Sequence, residues 1–158
     1  MPSQAEKAAA FRRLHERPGA FMIPNPWDAG TAKLLASMGF EALATTSLGL
    51  ANTLGRVDGT NTVSRADVLA NCTVIADATP LPVNADLENG YADEPRAAAE
   101  MIRLAAEAGV VGGSIEDATG DDTKPIYDFQ LAVRTKPEGS VRATSTAACT
   151  RSTASWKS

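Results

Sequence analysis

The chain has 158 residues, 44% of them hydrophobic, which is enough for one domain with a real core and too little for a second. Its formal net charge of −4 argues against a nucleic-acid partner, because phosphate binding uses clustered Lys and Arg. No apolar run has signal-peptide length or the roughly 20 residues that span a bilayer. We therefore expect a cytoplasmic protein without a membrane partner. Cys72 and Cys149, far apart and outside any CxxC pattern, predict free thiols.

The elements alternate along the chain. A capping box from Ser3 to Glu6 opens a leading helix that ends before Pro18-Gly19. Hydrophobic patterning then predicts strands at 20–23, 42–46, 82–85 and 111–115, and helices at 29–38, 64–78 and 95–108. A long loop is predicted through Asn52 and Gly59. Such alternation indicates βαβ units in a parallel sheet and an α/β fold, and leaves open whether the sheet closes.

The last 25 residues differ from the rest in composition. Residues 134–158 contain five Ser, five Thr and four Ala, and carry a net charge of +4, whereas residues 1–133 carry −8. The change falls inside an apparent helix at 126–133. Because a natural flexible tail usually begins after an element ends, we favour an aberrant, frameshifted C-terminus over a genuine disordered tail. The predicted division is therefore a folded part, 1–133, and a tail, 134–158.

Acidic residues follow two neighbouring predicted strands. Asp86 and Glu88 come directly after the third strand, where an extended chain would point both side chains the same way, and Glu116 comes after the fourth. Ligands of parallel α/β sheets bind beyond the carboxyl ends of the strands, where carboxylates converging without a cation would repel each other. Oxygen ligands suit Mg²⁺ or Mn²⁺. The alternative is that Asp86 and Glu88 simply solvate a loop.

The order and spacing of several motifs resemble the phosphoenolpyruvate mutase/isocitrate lyase superfamily. The resemblance runs from about Phe11 to Val133. The motifs that carry it are Trp27-Asp28-Ala29, Met38-Gly39-Phe40, Thr45-Thr46-Ser47-Leu48-Gly49, Leu54-Gly55-Arg56-Val57-Asp58, Asp86-Leu87-Glu88-Asn89-Gly90-Tyr91 and Ser114-Ile115-Glu116-Asp117.

The resemblance implies a partial (β/α)₈ TIM-type barrel, comprising its first four βα units after a short N-terminal helix. A complete barrel typically needs about 250 residues. It also implies an Mg²⁺-dependent lyase or mutase, with Mn²⁺ as an alternative metal. Such an enzyme cleaves or rearranges a C–C or C–P bond of a small 2-oxo or carboxylic acid through an enolpyruvate-like intermediate. A homo-oligomer is implied as well.

The site residues implied by the resemblance fall into three groups. Asp86 and Glu88 would bind the metal. Asp58 and Glu116 would be the catalytic residues and would support the metal through water or through its ligands. The third group, Thr46, Ser47 and Leu48, would grip the substrate's carboxylate or phosphonate through backbone N–H groups.

Two departures from the family pattern limit what carries over. Residues 117–125 contain neither the Cys nor the His of the lyase branch's gating segment, and the later strands of the barrel are absent. Two alternatives therefore stand beside the enzyme. One is a catalytically inactive truncated fragment, and the other is a half-barrel that dimerises, which the composition of the tail disfavours.

Overall fold

A computed structural model describes residues 1–60, 62–121, 123–139 and 148–149. The helices are α1 (Gln4–Glu16), α2 (Ala29–Ser37), α3 (Ser47–Thr53), α4 (Arg65–Ala78), α5 (Pro95–Glu107) and α6 (Phe129–Gly139). The strands are β1 (Leu43–Ala44), β2 (Val83–Asp86), β3 (Gly112–Ser114) and β4 (Ala148–Cys149).

The strands form one parallel sheet in the order β1-β2-β3-β4. Leu43 is in register with Val83, and Asp86 with Ser114. Sequential order without a reversal is the order of a (β/α) barrel, whereas doubly wound sheets reverse at a switch point. The predicted α/β class with a parallel sheet is confirmed, and the carboxyl ends of β2 and β3 lie side by side.

The main core lies between the sheet and the helices that follow its strands. Leu43, Val83 and Ala85 pack there against Ile75 of α4 and Met101 of α5, all fully or almost fully buried. Apolar side chains thus hold the helical layer on the sheet, and burial of each large one contributes roughly 1.5–3 kcal/mol.

Helix α1 closes the end of the sheet opposite the carboxyl ends of the strands. The predicted capping box is present, with Ser3 and Glu6 satisfying each other's backbone N–H groups. Phe11 is buried in a second apolar cluster with Ala42 and Val111, which precede β1 and β3. This packing fixes α1 at the sheet's amino end.

Two polar side chains of α1 cap the ends of neighbouring helices. Lys7 Nζ donates to the carbonyl oxygens of Ala76 (2.8 Å) and Thr79 (2.7 Å), at the end of α4. Gln4 Nε2 donates to those of Ala106 (2.6 Å) and Val110 (2.8 Å), at the end of α5. The last carbonyls of a helix lack partners within it and carry a partial negative charge, so these donors stabilise both helix ends.

The first predicted strand is not a strand in the structure. The backbone hydrogen bond that joins this segment to β1 runs from Ala44 N to the carbonyl oxygen of Pro24, just after residues 20–23 (3.1 Å). Pro24 and Pro26 have no N–H groups to continue a ladder, which explains the difference. The segment is nevertheless placed, because Phe21 and Ile23 pack against the second cluster.

The predicted loop after β1 begins as a short helix. Residues 47–53 form α3, and Thr46 is its N-cap residue. The sequence Ser-Leu-Gly-Leu-Ala-Asn-Thr has only two turns of helix and a glycine, so its intrinsic helix signal is weak. Burial of Leu50 and Ala51 in the main core compensates for that weakness.

The predicted boundary at residue 133 falls inside α6, which begins at Phe129 and continues to Gly139. β4 also lies within the predicted tail. Residues 140–147 and 150–158, where most of that tail falls, lie outside the described residues, so its disorder and its aberrant origin stay predictions. Within the described part of the chain, no helix has the length and apolarity needed to cross a membrane.

Replacing Lys7 with Met should lower stability. The side chain is 7% exposed, and its loss would leave the carbonyls of Ala76 and Thr79 buried without this donor. We expect the free energy of unfolding in urea to fall by about 1–3 kcal/mol. Lys33→Met, on the exposed side of α2, is the matched control and should change it by less than about 0.5 kcal/mol. Equal effects of the two substitutions would contradict the capping role.

Asp67 should make α4 sensitive to acid. Hydrogen bonds from the Ser64 side chain and backbone, and then from Arg56, lower the pKa of Asp67 from 3.8 to about 2. Because this pKa is lower in the folded state, the stabilisation is complete above about pH 4 and is lost as pH falls toward 2. The difference in unfolding free energy between the natural chain and Asp67→Asn should shrink over that interval. A difference independent of pH would contradict the assignment.

Candidate functional site

The site is built around Asp86, the last residue of β2. Its N–H donates to Thr45 Oγ1 (2.9 Å), at the end of β1. Thr45 is 5% exposed and also hydrogen-bonds the buried thiol of Cys72. Burial raises the pKa of Cys72 to about 12, so this residue is core rather than nucleophile, and it is a free thiol as predicted. The side chain of Cys149 lies outside the described part.

The Asp86 carboxylate accepts two backbone N–H groups. Ser47 N, at the start of α3, donates to Oδ2 (3.0 Å), and Glu88 N donates to Oδ1 (3.3 Å). The Ser47 hydroxyl donates in turn to Asp58 Oδ2 (3.4 Å) in the loop after α3. One carboxylate therefore links β2, α3 and the loop that carries Asp58.

Beyond Asp86 the chain turns sharply. Glu88 and Tyr91 both have left-handed backbone conformations, with φ of 46° and 58°. The expectation that an extended chain aligns Asp86 with Glu88 is therefore wrong, because β2 ends at Asp86. Tyr91 instead fixes the Glu88 carboxylate by donating from its hydroxyl to Oε1 (2.8 Å). Non-glycine residues in this conformation are strained, a feature that clusters at functional sites.

Glycine at position 90 allows this turn to approach α5. A Cβ at that position would lie 2.8 Å from the Cβ of Ala98, and the backbone φ is +82°. Any larger residue would lift the turn away from the helix. The turn that carries Glu88 is thus held by Asp86 on one side and by α5 on the other.

Glu116 joins the cluster from β3. Its N–H donates to the Glu88 carbonyl (2.6 Å), so the ends of β2 and β3 remain paired past their last strand residues. Together these elements enclose a cleft of about 110 Å³. It is lined by Ser47, Asp58, Gly59, Glu88, Asn89, Glu116, Ala118, Thr119 and Gly120.

Burial and neighbouring carboxylates change the pKa values of Glu88 and Glu116. Burial raises the pKa of Glu88, and Asp58 and Asp86 raise it further, against the lowering effect of the Tyr91 hydrogen bond. Burial, Asp86, Glu88 and Asp58 all raise the pKa of Glu116. The cleft therefore concentrates negative charge in a partly desolvated place, which favours a bound cation.

The donor set fits a hard divalent cation. Asp58 Oδ1 is buried without a hydrogen-bond partner. The other potential metal ligands that line the cleft include the carboxylate oxygens of Glu88 and Glu116. Among the described residues, no three His, Cys, Asp or Glu side chains converge closely enough to enclose an ion. Mg²⁺ typically keeps several waters and contacts only one or two carboxylates, so a site completed by water fits this spacing.

Four of the seven residues predicted for the site line the cleft: Ser47, Asp58, Glu88 and Glu116. Asp86 lies behind them, bound to Ser47 and Glu88. The side chains of Thr46 and Leu48 stand apart, since Thr46 is the N-cap of α3 and Leu48 is 55% exposed. The Ser47 N–H, predicted to grip a substrate, donates to Asp86 in this structure.

A hairpin-like flap, residues 117–121 and 123–127, covers one side of the cleft. Ala118 bridges Ile126 in antiparallel fashion, and Thr119 N donates to Pro125 O (3.1 Å). At the base of the flap, where Tyr127 N donates to Asp117 O (2.9 Å), the Tyr127 hydroxyl accepts from Asn89 Nδ2 (2.9 Å) and donates to Asp93 Oδ1. This contact could not be predicted from the sequence, because no local pattern reveals partners 38 and 34 residues away.

Trp27 packs against α3 at Gly49 and is 46% exposed. A Cβ at Gly49 would lie 2.4 Å from the Trp27 ring and 2.6 Å from Thr46 Cγ2. Asn71 of α4 donates to the Trp27 carbonyl (2.9 Å), which holds this residue in place. The close approach of Trp27 and Gly49 therefore sets the position of Ser47.

Comparison with solved structures gives the same fold. A structure from Burkholderia cenocepacia, named as a candidate lyase/mutase, is 53% identical with a TM-score of 0.88 and covers 94% of this chain and 53% of its own. The structure of 2,3-dimethylmalate lyase is 27% identical with a TM-score of 0.81, covering 96% and 53%. Phosphonopyruvate hydrolase in complex with oxalate and Mg²⁺, 18% identical with a TM-score of 0.84 over 95% and 52%, supports the fold alone.

Curated relatives match most of the chain in sequence. An uncharacterised protein of Mycobacterium tuberculosis is 36% identical over 114 residues, which are 71% of this chain and 42% of that protein. The 2,3-dimethylmalate lyase of Eubacterium barkeri is 30% identical over 111 residues, or 70% and 38%. The chain thus spans about two fifths of the length of these curated relatives.

The family model of phosphoenolpyruvate phosphomutase matches residues 11–149, the same segment that contains the sheet, the acidic cleft and its flap. The chain therefore belongs to the phosphoenolpyruvate phosphomutase family, within the phosphoenolpyruvate mutase/isocitrate lyase superfamily of lyases and mutases.

Proposed function

We propose that this chain carries the metal-binding part of an Mg²⁺-dependent lyase or mutase that cleaves or rearranges a C–C or C–P bond of a small 2-oxo or carboxylic acid. The observation that carries the proposal is an acidic cleft at the carboxyl ends of β2 and β3, lined by Ser47, Asp58, Glu88 and Glu116. Asp86 lies directly behind it and accepts the backbone N–H groups of Ser47 and Glu88. This edge of a parallel sheet is where such folds bind their ligands.

Asp86 and Glu88 would hold the metal, with Asp58 and Glu116 acting through water. Mn²⁺ could replace Mg²⁺, because both prefer oxygen donors in such a site. When bound, the ion would act as a Lewis acid on the oxygens of the substrate and stabilise negative charge as the bond breaks and an enolpyruvate-like intermediate forms. The buried, unpartnered Oδ1 of Asp58 and the raised pKa values of Glu88 and Glu116 support a cation here.

The protein's own groups would position the substrate and the carboxylates. Thr45 and Ser47 fix Asp86 from two sides, and Tyr91 holds one oxygen of Glu88. Because the Ser47 hydroxyl donates to Asp58, its oxygen remains available to accept a hydrogen bond from a substrate hydroxyl. These groups are fixed before binding, which is what electrostatic preorganisation requires.

The size and walls of the cleft support a small substrate. Its volume is about 110 Å³, and the flap contributes only small side chains, those of Ala118 and Thr119, together with Gly120. The named activities of relatives concern small acids, including 2,3-dimethylmalate. A short 2-oxo or dicarboxylic acid fits this space better than a long-chain one.

A second candidate is a catalytically inactive fragment of such an enzyme. The curated relatives are matched over 42% and 38% of their length. Metal binding without turnover, together with turnover after addition of a family-like C-terminal half, would identify the chain as such a fragment. We also propose a homo-oligomer, on the basis of the family resemblance.

Asp86→Asn tests the metal site. The substitution keeps the size of the side chain and removes its charge, so we expect Mn²⁺ affinity, measured by electron paramagnetic resonance, to fall at least about tenfold. Release of pyruvate or glyoxylate with Mg²⁺ should fall with it. Glu16→Gln, at the exposed end of α1, is the control for loss of one negative charge. Unchanged Mn²⁺ affinity in Asp86→Asn would remove Asp86 from the site.

Gly49→Ala tests the placement of Ser47. The new methyl group would collide with Trp27 and Thr46, so α3 or the indole must move. We expect a stability loss of about 1–3 kcal/mol, a shift of Trp27 fluorescence in a Trp156→Phe background, and a raised KM. Gly30→Ala is the matched control, because its nearest contact is 3.4 Å and an alanine suits that helix. An unchanged Trp27 spectrum in Gly49→Ala would contradict the predicted collision.

A further inference from the structure

One hydroxyl group joins the flap to the loop that carries Glu88. The Tyr127 hydroxyl accepts a hydrogen bond from Asn89 Nδ2 (2.9 Å) and donates one to the Asp93 carboxylate. Both partners belong to the loop between β2 and α5, and Asn89 follows Glu88 directly. A hydrogen bond to an ionised carboxylate is stronger than one between neutral groups.

The bonds within the flap shape it without attaching it to this loop. Thr119 N donates to Pro125 O (3.1 Å), Thr119 Oγ1 donates to Lys124 O (2.5 Å), and Tyr127 N donates to Asp117 O (2.9 Å). The start of the flap is anchored by Glu116 N, which donates to the Glu88 carbonyl. Tyr127 provides the corresponding anchor at the flap's other end.

Both ends of the Asn89 side chain are engaged. Its Nδ2 donates to Tyr127, and its Oδ1 accepts from Tyr91 N (2.9 Å). Asn89 lines the cleft, and so do Ala118 and Thr119 of the flap. The Tyr127 hydroxyl therefore controls two walls of the cleft: the flap directly, and Asn89 through its amide.

We propose that Tyr127 is a positioning residue that locks the flap over the acidic cleft and fixes Asn89 in its wall. Separation of the flap's base from the loop between β2 and α5 requires both bonds of the hydroxyl to break. The lock excludes water from the cleft and limits the length of the acid that enters. This last consequence rests on the proposed function, whereas the lock itself does not.

Hydrogen exchange tests the lock without metal or substrate. In Tyr127→Phe, amide exchange in peptides covering residues 118–126 should accelerate about five- to tenfold, the effect of losing one net hydrogen bond. Exchange in the strand and helix peptides of the core should stay the same. Thr73→Val, which removes a hydroxyl on α4, is the matched control and should leave the flap unchanged.

Two substitutions at Asp93 distinguish a lock from general loosening. Asp93 is exposed, so Asp93→Ala should fold normally and accelerate flap exchange as Tyr127→Phe does. Asp93→Asn keeps an oxygen acceptor and should restore most of the protection. Unchanged flap exchange in Asp93→Ala, or acceleration in Tyr127→Phe that extends evenly over the whole chain, would overturn the proposal.

Kinetics supply the functional measurement, in a form of the protein that turns over. Tyr127→Phe should raise KM for a short acid by about tenfold and change kcat less, because the lock acts on binding. A fall in kcat alone would overturn the role in positioning. Absence of all turnover in the natural chain would favour the inactive-fragment candidate, and the exchange experiment would then decide the lock by itself.

Discussion

The arrangement of the cleft depends on the Asp86 carboxylate and the two backbone N–H groups that it accepts. Ser47 and Glu88 lie on different segments, and the Asp86 carboxylate joins both of them to the end of β2. The parallel register of β1 with β2 makes this possible, because it brings Thr45 beside the end of β2. A single anion thereby organises three chain segments, and the cost of partly burying it is offset by backbone donors.

The two ends of the sheet differ in how negative charge is treated: it is neutralised at the amino end and concentrated at the carboxyl end. At the amino end, the carbonyls that terminate α4 and α5 are partly negative, and Lys7 and Gln4 of α1 satisfy them. At the carboxyl end, carboxylates gather, and burial together with the neighbouring negative charges raises the pKa values of Glu88 and Glu116. The protein thus places an internal cation and an amide where a permanent structural contact is needed. It leaves negative charge at the end where ligands of this fold bind.

Much of this architecture could be predicted from sequence, because it rests on local signals. The capping box at Ser3, hydrophobic periodicity, and the turn residues at helix ends placed α1, α2, α4 and α5 correctly, and the acidic residues that follow two strands meet at one cleft. Long-range contacts could not be predicted in this way. The conformation of Glu88 depends on Tyr91 and on the approach of Gly90 to Ala98, and the first expected strand failed because Pro24 and Pro26 remove donors.

The strained turn after β2 shows why these long-range contacts matter for the site. Left-handed conformations at Glu88 and Tyr91 cost of order 1–3 kcal/mol each, so this segment would relax if nothing held it. It is held by Asp86 at its start, by Ala98 against Gly90, by Glu116 on the Glu88 carbonyl, and by Asn89 through Tyr127. These four contacts to residues outside the turn oppose the strain of its two left-handed residues. Because the flap supplies one of them, its position and the geometry of the acidic cleft are coupled, and a ligand that stabilises one stabilises the other.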